Sequence, residues 1–176
     1  NKIICDAFSS IEQYQFEEHP FLRRAATEVI CNLCVDEQVY SKFTGDNDRI
    51  RLLVLFGNED DLKLNQAAMG ALAQLSFLPV VCQKIVETKD FVEIFKNVTT
   101  TSDTELQYRG FFILRNLILN GKDTSIKVVE SELMDVIFAM SRLDDKSRLK
   151  AVNLASEIVK LCLEAEYIKP LTGAFT

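Results

Sequence analysis

A single histidine, His19, stands among 176 residues, together with five cysteines and no tryptophan, so few chemistries are open to the chain. Cys31-Asn32-Leu33-Cys34 has the C-x-x-C spacing of half a zinc site or of a redox pair. A structural zinc takes four ligands, however, and the sequence offers neither a second C-x-x-C nor a histidine pair. A thioredoxin-like use places the motif at a helix N-terminus after a strand, whereas these cysteines fall late in a helical stripe. Both are therefore expected in the core. His19 precedes Pro20 at a helix start, where a capping or surface role is expected. With no other histidine, no nucleophile, base and acid can be assembled, and neither a G-x-S-x-G nor a glycine-rich phosphate loop occurs. No catalytic residue, metal or cofactor is expected. The carboxylate clusters Glu59-Asp60-Asp61 and Asp144-Asp145 fall in turn sequence, where carboxylates are solvated. Asn97-Val98-Thr99 has the form of a glycosylation acceptor, which a cytosolic chain would not use.

The chemistry that remains is recognition by side-chain amides. Asn32, Gln74 and Asn116 recur 42 residues apart. An amide donates and accepts at once, which suits it to clamp the backbone of an extended segment. Four residues earlier, on the same helix face, lie Glu28, Gly70 and Phe112, and four before those Arg24, Gln66 and Tyr108. One neutral hydrogen bond contributes only about 0.5–1.5 kcal/mol, so three amides need anchors beside them. Tyr108, Phe112, Arg24, Arg109 and Arg115 are the candidates. Arg24 and Glu28, at i and i+4, invite an ion pair; with Arg23 they would present charge at the mouth of a groove. The plainer alternative stays open, in which the amides bond a neighbouring repeat or water, Phe112 is core and the charges form a solvated face.

These residues are positioned by an internal repeat. Ala25–Leu33 aligns without gaps with Ala67–Leu75 and with Arg109–Leu117, and apolar residues coincide at Ile30/Leu72/Leu114 and Leu33/Leu75/Leu117. A second register, Leu53/Phe95/Ile137 and Phe56/Val98/Met140, repeats at the same interval, and a weaker fourth copy holds Ala151, Ala155 and Val159 in phase. Apolar spacings of three and four mark each unit as helical. Breakers at Gly45-Asp46-Asn47-Asp48, Gly57-Asn58, Thr99-Thr100-Thr101-Ser102, Asn120-Gly121 and Asp144-Asp145 divide the units. They predict middle helices near 49–56, 91–98 and 132–142, and long third helices starting near 21, 62, 104 and 147. Ser102 or Asp103 should cap the third of these, and Pro20 and Pro79 suit helix starts. The expected fold is all-α: a right-handed superhelical solenoid of about four 42-residue repeats forming one domain, 1–176. Its repeats are expected at 1–44, 45–86, 87–130 and 131–170, with 171–176 as a tail.

Twenty basic against 26 acidic residues leave a net charge of −6, unlike a duplex nucleic-acid binder, whose affinity comes from Lys and Arg on phosphates. No stretch approaches the ~20 apolar residues of a membrane span, and the first ten residues lack the pattern of a secretion signal. An odd number of cysteines fits a reducing, cytoplasmic setting better than a disulfide framework. The start at Asn1 rather than Met leads us to expect a fragment of a longer protein.

The pattern Ala-x-x-Ala-Leu-x-Asn-Leu, approximated by Ala67–Leu75 and by Ile113-Leu114-Arg115-Asn116-Leu117, resembles the third helix of armadillo repeats. More specifically, Pro20–Glu28 with Cys31-Asn32-Leu33, Asn47-Asp48-Arg49, Gly57–Asp61, Val129–Leu133 and Tyr167–Pro170 are similar to the C-terminal part of the UCS family of myosin-directed chaperones. Armadillo proteins bind extended peptides through an asparagine ladder; Asn32 and Asn116 match it and Gln74 is a substitution. The resemblance thus implies a non-catalytic module that holds the myosin heavy-chain motor domain in a concave groove. In that family a large heat-shock chaperone docks through a domain that this chain lacks. A scaffold that binds a linear motif of a folded partner, or a purely architectural set of repeats, are the alternatives.

Overall fold

The computed structural model describes residues 2–169; residues 171–176, expected as a tail, and Pro170 lie outside them. All regular structure among the described residues is helical. A first pair, α1 (Lys2–Glu12) and α2 (Pro20–Leu33), is followed by three three-helix units. These are α3 (Glu37–Tyr40), α4 (Arg49–Phe56) and α5 (Leu62–Leu75), then α6 (Pro79–Glu87), α7 (Phe91–Thr100) and α8 (Thr104–Leu119). The last unit comprises α9 (Lys122–Val129), α10 (Leu133–Ser141) and α11 (Leu149–Glu164). Most breakers end helices where expected, but α7 runs on through Thr99 and Thr100, and one start moves: a 3-10 turn at Lys146–Arg148 delays α11 to Leu149.

Helix starts follow the local chemistry. Asp61 caps α5 by accepting from the Lys63 and Leu64 N–H groups, and Asp103, rather than Ser102, caps α8 by accepting from Leu106 N at 2.7 Å. Asp145 accepts from Ser147 N at 2.8 Å. Pro20 and Pro79 open α2 and α6, where a missing N–H costs nothing. His19 sits at the N-cap of α2 without a side-chain cap bond; its ring lies 5.8 Å from that of Phe21 on the surface.

The long helices α2, α5, α8 and α11 lie side by side and parallel, because residues of matching phase meet along them. Near their N-termini Arg24 Nη2 bonds Asp61 Oδ2 at 2.7 Å, Gln66 Nε2 donates to Asp103 Oδ1 at 3.0 Å, and Arg148 Nη1 donates to Gln107 Oε1 at 2.7 Å. Near their C-termini Gln74 Nε2 donates to the Cys31 carbonyl at 3.1 Å and Asn116 Nδ2 to Ser76 Oγ at 2.7 Å. The core runs continuously between them through Ile30, Leu72 and Leu114 and through Leu53, Phe95 and Ile137, all buried. Phase alone does not decide burial. Leu64 and Leu106 are each 3% exposed, but their counterpart Leu22 is 44% exposed, since α2 has no third helix before it.

Candidate functional site: a groove along the third helices

A groove of about 620 Å³ runs across α2, α5 and α8. Its walls are Cys31, Asn32, Gly70, Ala73, Gln74, Phe77, Glu105, Tyr108, Arg109, Phe112 and Asn116. Six of the expected residues are therefore together: Asn32, Gln74, Tyr108, Arg109, Phe112 and Asn116. Helical phase explains this, since residues four apart on α8 put Tyr108, Phe112 and Asn116 on one face. The Tyr108 and Phe112 rings are 6.2 Å apart, and Lys150 Nζ sits 5.4 Å from the Tyr108 ring centre. Phe112 is half-buried in the groove wall, while its neighbours Phe111, Ile113 and Leu114 are core.

The three amides are not equivalent. Asn32 is exposed and makes no hydrogen bond within the described residues. Gln74 gives its NH2 to the Cys31 carbonyl, which fixes the orientation of the amide because only a donor fits there. Its Oε1 is consequently buried with no partner. Asn116 is tied through Ser76 on its donor side, and its Oδ1 receives Arg115 Nη1 at 3.4 Å. Two rungs of the ladder thus also fasten one repeat to the next.

The other expected residues lie off the groove. Arg24 pairs with Asp61 and stacks 5.1 Å over the Phe21 ring, so the Arg24–Glu28 ion pair does not form and Glu28 remains exposed. The N-cap carboxylate of α5, already fixed by two backbone N–H groups, outcompetes a mobile Glu on the same helix. Arg23 Nε donates to the Glu17 carbonyl at 3.3 Å. Gln66 accepts from Lys63 and donates to Asp103 at the start of α8. Arg115 pairs with Glu157 of α11 at 2.8 Å. Arg109 is in the wall but already engaged, with Nη1 on the Gln66 carbonyl and Nε on Glu105 Oε1 at 2.9 Å.

Phe77 and Glu105 are groove residues that the amide pattern does not reveal, and Gly70 lies there as its place four residues before Gln74 implies. Phe77 lies in the turn after α5, outside any helical stripe, with its ring edge-on to Tyr40 at 5.5 Å; an aromatic in a helix-to-helix turn is the one signal that marks it. Gly70 makes the floor. A Cβ there would stand 2.8 Å from Arg109 Nη1 and 3.0 Å from Cys31 Sγ.

Three of the thiols are held protonated by burial. Burial raises the Cys31 pKa against the opposing Arg109 charge and Gln74 hydrogen bond, and burial pushes Cys34 up to about 12 and Cys82 to about 11. Among the described residues no group of three or more His, Cys, Asp or Glu could hold a metal ion, and no helix is long and apolar enough to cross a membrane. The groove can present amides, aromatic faces and one fixed guanidinium to a polypeptide.

The chain is 37% identical over 170 residues to protein unc-45 homolog B of Mus musculus, a match that covers 94% of the chain and 18% of that relative. The chain belongs to the UCS family, the family of UNC-45. UNC-45 from Drosophila melanogaster superposes with a TM-score of 0.87 at 30% identity, over 93% of the chain and 21% of the UNC-45 structure. A second UNC-45 structure, of the chaperone that binds and folds muscle myosin, gives a TM-score of 0.79 at 26% identity, over 88% of the chain and 18% of its own. A designed armadillo repeat protein matches at a TM-score of 0.75 and 14% identity, over 89% of the chain and 65% of its own, so the chain has the armadillo solenoid fold. No family model matches the chain. The chain spans about a fifth of the length of the UNC-45 relatives it matches.

Proposed function

We propose that the chain is a non-catalytic, protein-binding module of a myosin co-chaperone, and that the groove across α2, α5 and α8 holds an extended or partly folded segment of the myosin heavy-chain motor domain. The observation that carries this reading is the assembly of Asn32, Gln74 and Asn116 with Tyr108, Phe112 and Phe77 in one groove. Aromatic faces take apolar side chains that a partly folded client exposes, at little cost in side-chain entropy. Asn32, exposed and unengaged, can donate and accept along the client backbone. Identity to UNC-45 over nearly the whole chain supports the choice of client. A large heat-shock chaperone would dock elsewhere on the longer protein and supply the energy. Five free thiols suit a reducing, cytoplasmic setting.

The test is heat aggregation of a purified myosin motor domain with the chain and with an Asn32→Ala, Tyr108→Ala variant. Both side chains are reachable from solvent and neither hydrogen-bonds another repeat among the described residues; across repeats Tyr108 gives up only its contact with Lys150, so the variant should keep the circular dichroism of the parent. Protection by the parent and its loss in the variant is the expected result. Equal protection by both would place the client elsewhere. Saturable binding of one short peptide, with no protection of the motor, would make the chain a scaffold for a linear motif.

A further inference from the structure

Val35, Phe77 and Leu119 are one per repeat, spaced 42 residues apart, and all three are exposed: 75%, 59% and 51%. Each follows or ends a third helix, and those helices are parallel, so the three fall in a row along the edge where α2, α5 and α8 finish. Phe77 and Leu119 already share a hollow of about 380 Å³ with Pro79 and Asn120. Scattered exposed apolar residues need no explanation. A row in which three successive repeats expose an apolar side chain at the same phase is different, because the residue before each, Cys34, Ser76 and Ile118, is buried.

We propose that this edge docks an amphipathic helix of a partner protein, with an apolar residue at every seventh position and Lys or Arg beside them. Packed helices lie about 8–10 Å apart, which sets the interval of the row. Seven residues of α-helix rise about 10.5 Å and return to nearly the same face, so one side of a helix meets all three residues. Three residues of a β-strand cover a similar length but turn successive side chains to opposite faces. The charge around the row selects the flanks. Beside the row the chain carries Asp36, Glu37 and Asp123 against Lys122, and one helix further, at the end of α11, Glu164 and Glu166 against Lys169 and a Lys160 that is paired with Glu164. A helix also satisfies its own backbone, so it asks of this edge only apolar contact and carboxylates. The row meets the motor-binding groove only at Phe77: Val35 and Leu119 line no part of that groove.

The experiment measures binding of a fluorescent synthetic helix with leucine at every seventh position and lysines between, against an isomer of the same composition with leucine at every fifth. Proteins are the chain, its Val35→Ser, Leu119→Ser variant, and the groove variant Asn32→Ala, Tyr108→Ala. Both side chains of the first variant are exposed, and circular dichroism checks that it folds. The heptad peptide should bind the chain and the groove variant equally, and about tenfold more weakly the edge variant or in high salt. The isomer should bind about tenfold more weakly than the heptad peptide. Equal binding of the two peptides overturns the proposal, as does binding that survives in the edge variant or fails in the groove variant. Because the groove is scored by a separate variant, failure here leaves the motor-holding reading standing.

Discussion

Gln74 Nε2 donates to the Cys31 carbonyl at 3.1 Å across the α2–α5 seam, and the same bond leaves Gln74 Oε1 buried without a partner. The hydrogen bond stabilises by about 0.5–1.5 kcal/mol while the unmet carbonyl costs about 1–3 kcal/mol. Gln74→Met, of similar length, removes both and should change stability by less than about 1 kcal/mol in urea unfolding. Gln74→Glu instead sets a carboxylate against a carbonyl oxygen and should lower the midpoint clearly.

Gly70 and Gly110 separate groove from core. A Cβ at Gly110 would come within 2.6 Å of Val98 Cγ1, a buried branched side chain with nowhere to swing, and overpacking of that kind costs about 1–3 kcal/mol. At Gly70 the obstacle is chiefly the far end of the flexible Arg109 side chain, whose hydrogen bond to the Gln66 carbonyl must shift, and alanine in a helix gains up to about 1 kcal/mol over glycine, which offsets that loss. Gly110→Ala should thus lower the melting temperature, whereas Gly70→Ala should leave it nearly unchanged and narrow the groove floor. Calorimetry paired with client binding reads both.

Asp61 and Asp103 set the response to acid. Burial pushes each carboxyl up, but hydrogen bonds outweigh it. Asp61 accepts from Arg24 and from the Leu64 and Lys63 N–H groups, and Asp103 from Leu106 N and Gln66. Both pKa values therefore lie below the ordinary 3.8. The unfolded chain takes up these protons first as pH falls, so the stabilisation is complete above the ordinary value and is lost as pH drops through the folded one. Asp61→Asn with Asp103→Asn keeps a capping oxygen but removes the titration, and should flatten the fall in urea midpoint between about pH 5 and pH 2. An equally steep fall in the variant would assign acid sensitivity to other carboxylates.

Leu22 and Leu64 share a phase but not an environment. Leu64→Ala should cost about 2–5 kcal/mol as a core truncation, while Leu22→Ala, at a position 44% exposed, should cost under about 1 kcal/mol. Comparable losses would mean that α2 is covered in solution by something the isolated chain brings to it.

The 42-residue period, the bounds of α4, the starts of α5, α7 and α8, the Pro20 and Pro79 starts and the buried Ile30/Leu72/Leu114 row were all legible in the sequence, because they depend on contacts within three or four residues and on an apolar stripe that any helix must bury. So was the face of α8 that carries Tyr108, Phe112 and Asn116. Partners across the seams were not. Arg24 looks to Glu28 along its own helix, yet it meets Asp61, 37 residues on; Gln66 reaches Asp103 by the same step; and Phe77 enters the groove from a turn. Such pairings depend on how far one repeat is offset and rotated on the next. That offset comes from the summed packing of buried side chains, down to whether a Gly70 leaves room for an arginine, and no local spacing encodes it.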